Sequence, residues 1–358
     1  MNVDAVLQLV RPEILRLSPY SSARSEAAEV AAGGRKVWLD ANENPETPSV
    51  HRPFLNRYPD PQPRELVAKL ATLYGVTPAG VLLTRGSDEG IDLLLRAFCR
   101  AGRDAILITP PTYGMYAVAA GIQDARMVAV PLVREKDFAL DPAALLAAAG
   151  PEVKLVFLCS PNNPTGRSLD RAAVLAVVQA LAARAVVAVD EAYVEFSGAP
   201  SLAAEIAQNP NLVVLRTLSK AYGLAGARAG TTLAHPAVVD VLRKIIAPYP
   251  VPSPVLQVAL AALSPEGLTA ARESVRILVA ERDRLAAGLA QLPAVRRVWP
   301  SDANFLLAEV ADAARAMAAG RAAGVIWRDR SRDVPGAVRF TVGTAEENQL
   351  TLEVMSRV

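Results

Sequence analysis

Three polar side chains follow three apolar runs: Asn162 after residues 153–158, Asp190 after 185–189 and Lys220 after 212–216. Steps of 28 and 30 residues separate them, each close to one strand-helix-strand unit of roughly 30 residues. Polar groups at the C-terminal ends of parallel strands converge on one crevice, so an amide, a carboxylate and an amine are expected to face a common cavity. Lysine is scarce, with six among 38 basic residues, and one in such a setting is informative.

That set is what pyridoxal 5'-phosphate requires: a lysine for the Schiff base, an acid beside the pyridine nitrogen and anion-binding groups for the phosphate. Lys220 would carry the cofactor and, once displaced by substrate, move the proton taken from the substrate α-carbon. Asp190 would keep the ring nitrogen protonated, so that the ring accepts the electrons left by that proton. Tyr193, three residues past Asp190, would donate to the phenolate oxygen, and Asn162 likewise. Gly86-Ser87-Asp88 opens a helix whose free amides and positive dipole end suit a phosphate. Ser219 and Arg228 would add a hydroxyl and a guanidinium, and Tyr113 a flat ring to stack on the pyridine. Taken singly, each is an ordinary cap, turn residue or solvated lysine. Their order, each at a strand end or helix start with no competing His, Cys or nucleotide-loop constellation, favours the chemistry.

These residues need an alternating scaffold. The pattern predicts a helix over 64–74, a strand over 81–84 and a helix after Gly86, where Ile91, Leu94, Leu95 and Phe98 recur at helical spacing. Strands are expected at 105–109 and 127–130, then at the three apolar runs, which read as buried parallel strands. Residues 248–254 hold four prolines in seven and are expected to form a loop near a domain boundary. Beyond it a helix over 268–292 leads to strands at 304–309, 325–328 and 338–342, and a last helix starts at a capping box of Thr344 and Glu347. The expected class is α/β, a large domain with a mostly parallel central sheet flanked by helices and a smaller C-terminal α/β domain. Its parts would be an arm that also contributes to the small domain at 1–48, a large domain at 49–255 and a small one at 256–358.

Composition narrows the function classes. Of 358 residues 52% are hydrophobic and 21% charged, as in a globular protein with a sizeable core. A formal charge of +2 gives no field to draw in nucleic acid or anionic lipid, so small molecules are the expected partners. No signal-peptide core or membrane-length apolar run is present. Cys99 and Cys159 each lie in an apolar stretch and read as buried free thiols in a reducing compartment, so a cytoplasmic location is expected. Two histidines, His51 and His235, and no Cys pair leave few ligands for a metal site, and none is expected.

At the same residues the chain resembles the fold-type I aminotransferases and, within them, the histidinol-phosphate aminotransferases. Residues 39–45, 57–61, 85–89, 160–166, 190–193, 217–221 and 339–344 carry the likeness, which extends over nearly the full length. The resemblance implies amino transfer between glutamate or 2-oxoglutarate and imidazole-acetol phosphate or histidinol phosphate, in a homodimer where Tyr58 reaches the neighbouring subunit's site. It also implies that Arg339 binds the carboxylate of one substrate and the phosphate of the other, with Tyr20, Asn44 and Arg328 as further substrate contacts. Tyr222 stands where such enzymes often carry Phe. The same cofactor residues would serve an aromatic-amino-acid aminotransferase or a phosphothreonine decarboxylase. A non-catalytic pyridoxal-phosphate-binding regulator would be expected to need a partner-binding module, for which no spare domain is foreseen.

Overall fold

The computed structural model describes residues 3–19 and 55–358. Seven strands, β1 (Val81–Thr84), β2 (Ala105–Ile108), β3 (Arg126–Ala129), β4 (Val153–Cys159), β5 (Val186–Asp190), β6 (Leu212–Thr217) and β7 (Gly230–Leu233), form one sheet. Their order is β1-β7-β6-β5-β4-β2-β3. β7 runs antiparallel to both its neighbours, and the other pairings are parallel. β5 and β6 are buried along their whole length, as continuous apolar runs between two helical layers must be.

Register sets where these strands stop. Cys159 pairs with Asp190, and Asp190 with Leu215, so β4, β5 and β6 end almost level and deliver their following loops to one edge. The returning helices carry local start signals. Asp170 accepts from the Ala173 amide at the start of Arg171–Ala180, and Ser264 accepts from Gly267 at the start of Pro265–Ala290. Helix Gly86–Phe98 buries Ile91, Leu94, Leu95 and Phe98 against the sheet, on the face the apolar spacing marked.

A second, wholly antiparallel sheet joins β8 (Val295–Val298), β9 (Phe305–Val310), β10 (Arg328–Asp329) and β11 (Ala337–Thr341) in the order β10-β11-β9-β8. Leu307 and Ala337 of this sheet, with Trp299 just after β8 and Val334 just before β11, join the apolar cluster of the large sheet, which fixes one sheet against the other. The last helix, Ala345–Met355, begins with the expected reciprocal cap between Thr344 and Glu347.

The proline-rich stretch departs from expectation. Helix Ser253–Ala262 begins inside it, with Pro252 at the cap position and Pro254 in the first turn, where a missing amide hydrogen costs nothing. The strand expected at 325–328 shrinks to Arg328–Asp329, because Trp327 is buried against Phe340 and Gly320 in the small domain's core. β7 and β8 were not anticipated; β7 holds only Gly, two Thr and one Leu, and β8 is a half-exposed VRRV.

Candidate active site

At the edge where β4, β5 and β6 end, a cavity of about 490 Å³ is lined by Ser87, Asp88, Tyr113, Asp190, Tyr193, Ser219, Lys220, Arg228, Arg328 and Arg339, among others. The amine and the carboxylate predicted to share a cavity therefore do so. Burial lowers the proton affinity of Lys220, and the nearby cations Arg339 and Arg228 lower it further, which favours a free amine. Asp190 lies at the end of β5 and is 3% exposed. Burial pushes its pKa up to about 6, against the pull of hydrogen bonds from Tyr116 and the Ala192 amide. The Tyr193 hydroxyl is held above its ordinary value, chiefly by burial. Its ring lies under Lys220, whose Nζ is 5.6 Å from the ring centroid.

Opposite Asp190 the start of helix Gly86–Phe98 meets β7. Gly86 has a φ of +75°, and a Cβ there would stand 2.6 Å from Arg228 Nη2. A Cβ on Gly230 would come within 2.5 Å of the Gly86 carbonyl carbon and 2.7 Å of the Ser87 nitrogen. The backbone thus brings the first amides of the helix, the Ser219 hydroxyl and the Arg228 guanidinium together, the composition of an anion cradle. Arg228 is itself left-handed at φ 55°. It donates to Asp88 Oδ2 at 3.1 Å, while Tyr113 donates to Asp88 Oδ1 at 3.0 Å. The Asp88 carboxylate therefore acts as a strut between the guanidinium and the aromatic wall.

Asn162 is a correction. Its side chain, 1% exposed, donates to the Pro111 carbonyl at 2.8 Å and to Thr165 Oγ1 at 2.9 Å, and accepts from Thr112 Oγ1 at 3.0 Å. It ties two loops together and has no polar atom left for the cavity. Asn163, the next residue, lines the cavity and accepts from Arg339 Nη1 at 2.5 Å. Two adjacent asparagines in a turn offer the same side-chain chemistry, so only the backbone path separates a brace from a site residue.

Tyr58 stands apart from the cavity lining, its ring stacked on Tyr249 at 4.5 Å between centroids. Tyr20 and Asn44 lie outside the described residues.

Residues 35–355 match the family of class I and II aminotransferases. The chain belongs to that family. The aminotransferase is 47% identical over 360 residues to a histidinol-phosphate aminotransferase of Stenotrophomonas maltophilia, covering 99% of this chain and 98% of that one. A histidinol-phosphate aminotransferase of Xylella fastidiosa is likewise 47% identical, over 99% and 97% of the two chains. Among solved structures, histidinol-phosphate aminotransferase of Sinorhizobium meliloti in complex with pyridoxal-5'-phosphate is similar with a TM-score of 0.76 and 26% identity, over 84% of this chain and 82% of that one. The fold is that of the fold-type I aminotransferases, a pyridoxal-phosphate-dependent family.

Several site residues of the aminotransferase escaped sequence reading. Tyr116 is fully buried, stacks on Phe157 at 4.8 Å and donates to Asp190 Oδ2 at 2.9 Å. Its position in a helix just after Tyr113-Gly114 was the only signal. Glu191 and Glu195 close on Arg216 at 3.2 and 2.6 Å, a buried ion cluster that braces the strand end bearing Asp190 against the one leading to Lys220. Arg330 also lines the cavity. Among the described residues no cluster of His, Cys, Asp or Glu could hold a metal, and no helix is long and apolar enough to cross a membrane.

Proposed function

We propose that this aminotransferase moves an amino group between glutamate and imidazole-acetol phosphate, giving 2-oxoglutarate and histidinol phosphate, in histidine biosynthesis. The observation that carries the substrate assignment is the 47% identity with histidinol-phosphate aminotransferases over essentially both whole chains. The chemistry of the cavity supports it, because Arg339 presents a guanidinium fork to either a carboxylate or a phosphate.

The residues present fit pyridoxal phosphate. A buried carboxylate whose proton affinity is raised by burial calls for a cationic partner, a protonated pyridine nitrogen being one. An amine lies near it in the same cavity, and an anion cradle built on two glycines completes the set. Asp190 would face the ring nitrogen, Tyr193 and Asn163 the phenolate oxygen, and Tyr113 the ring face. Ser87, Ser219, Arg228 and the Gly86–Asp88 amides would hold the phosphate. When bound, the cofactor supplies an aldehyde and an electron-accepting ring.

The chain's own residues do the rest. Lys220 Nζ, depressed in basicity by burial and two arginines, takes the proton from the substrate α-carbon and returns one in the reverse direction. Tyr116 donates to Asp190 Oδ2, which would help the carboxylate keep its charge beside a bound ring nitrogen. Arg339, steadied by Asn163, fixes a carboxylate of one substrate or the phosphate of the other and so sets the reacting carbon over Lys220. The working unit is a cytoplasmic homodimer in which Tyr58 reaches the partner's phosphate, with the large domain ending near residue 255 and the small one running from 256 to 358.

Borohydride reduction of the cofactor-loaded protein followed by peptide mapping should place the label on Lys220, and Lys220→Ala should lose both the yellow absorbance and turnover. Kinetics with histidinol phosphate against phenylalanine tests the substrate, and activity on phenylalanine alone would remove the histidine-pathway assignment.

A further inference from the structure

Arg330 lines the cavity beside Arg328 and Arg339, yet none of the roles above uses it. Arg328 opens β10 and Arg330 is the residue just past it, its amide still bonded to the Ala337 carbonyl at 2.9 Å; the two-residue step brings both to the cavity, and Arg328 stands opposite Arg339 across the β10–β11 pair. Three guanidiniums thus share one wall. Their mutual repulsion registers on Arg339, whose affinity for its proton is lowered by burial and then by Arg330 and Arg328. Asp333 offsets one of the charges, its Oδ2 lying 2.8 Å from Arg330 Nη2. The wall carries two positive charges in excess. The Nε atoms of Arg330 and Arg339 are buried with no hydrogen-bond partner among the described residues, and buried charged donors are costly unless an acceptor meets them.

We propose that Arg330 is a specificity-determining residue that, with Arg328 and Arg339, matches the wall to an alkyl phosphate dianion in preference to a carboxylate. A phosphate monoester bears two charges above its second pKa of roughly 6 and offers three acceptor oxygens. A carboxylate bears one charge and two oxygens, and Arg339 alone can chelate it. Arg330 therefore discriminates between the two substrates that share Arg339. This deepens the histidinol-phosphate reading and rests on it.

The test uses the cofactor-loaded enzyme and three amino donors: histidinol phosphate, histidinol and glutamate. Arg330→Gln should raise KM for histidinol phosphate about 10- to 100-fold with little change in kcat, the loss expected for one charge-assisted contact. KM for histidinol and glutamate should stay within about threefold. The selective penalty should shrink below pH 6, where the phosphate is a monoanion. Arg330→Lys keeps a cation on a similar stem and should show the same selectivity at a few-fold size, which serves if the Gln variant fails to fold. A loss of equal size for the phosphorylated and unphosphorylated donors would mean that Arg330 only supports the fold, and overturns the proposal. If the wild-type enzyme does not turn over histidinol phosphate, the substrate reading itself falls, a result distinct from a variant that merely lacks selectivity.

Discussion

The phenol of Tyr116 hydrogen-bonds Asp190 Oδ2 at 2.9 Å, where Tyr116 is fully buried and Asp190 nearly so. Such a bond favours the ionised carboxylate against the burial that opposes it. Tyr116→Phe keeps the ring stack on Phe157 and removes only the donor. In cofactor-free protein the loss should be about 1.5–3 kcal/mol at pH 8 and smaller at pH 5, since the protonated carboxyl depends less on an external donor. Urea denaturation at the two pH values measures it; equal losses would mean the hydroxyl does not tune Asp190.

The raised pKa of Asp190 has a stability consequence of definite sign. With a folded value of about 6 against an ordinary 3.8, the group's contribution is complete below about pH 4 and is lost as pH rises through 6. Cofactor-free wild type should therefore lose, between pH 4 and 7, about 3 kcal/mol more than Asp190→Asn, at a little over 1 kcal/mol per unit. Loading pyridoxal phosphate should shrink the difference, because a protonated ring nitrogen beside Asp190 lowers its pKa again. A pH-independent gap between wild type and variant would show that Asp190 does not titrate in this range.

Asn162 and Asn163 should fail in opposite ways. Asn162→Ala removes three hydrogen bonds, two to the loop of Pro111 and Thr112 and one to Thr165 in its own turn, and should cost about 2–4 kcal/mol of stability, given unsatisfied partners at 1–3 kcal/mol each with partial relaxation. Asn163→Ala gives up the acceptor for Arg339 Nη1, and should lower kcat/KM by about 10-fold or more with a melting temperature near wild type. Thermal melts and steady-state kinetics on both variants decide the matter, and a reversed pattern would restore Asn162 as the cavity residue.

How much of this was legible in the residues follows from periodicity. The runs 81–84, 153–158, 185–189 and 212–216 announce themselves because strands buried on both faces are unbroken apolar stretches, and the polar residues that follow 185–189 and 212–216 reach the site. Lys220 and Asp190 were readable for that reason. β7 was not, because a Gly-Thr-Thr-Leu strand resembles a loop until Gly230 is seen pressed on the Gly86 backbone. Asn163 was missed because sequence gives a turn's composition but not the direction of each side chain. Tyr116 and Arg330 were missed because a tyrosine in a helix and an arginine near a strand end are commonplace, and only tertiary contact gives them partners.

Gly230 offers a test of the anion cradle that touches no charged group. A methyl there must collide with the Gly86 carbonyl carbon and the Ser87 nitrogen, both backbone, so neither can swing aside as a side chain would. Gly230→Ala should push the helix start away from β7 and from Ser219 and Arg228, spoiling the convergence of amides and guanidinium. Because β7 is also paired on both sides, a stability loss of about 1–3 kcal/mol is expected from the strain. The affinity for pyridoxal phosphate should fall further than that loss explains, and inorganic phosphate should protect the variant less than wild type in thermal melts. Undiminished protection by phosphate would show that the anion is held elsewhere in the cavity.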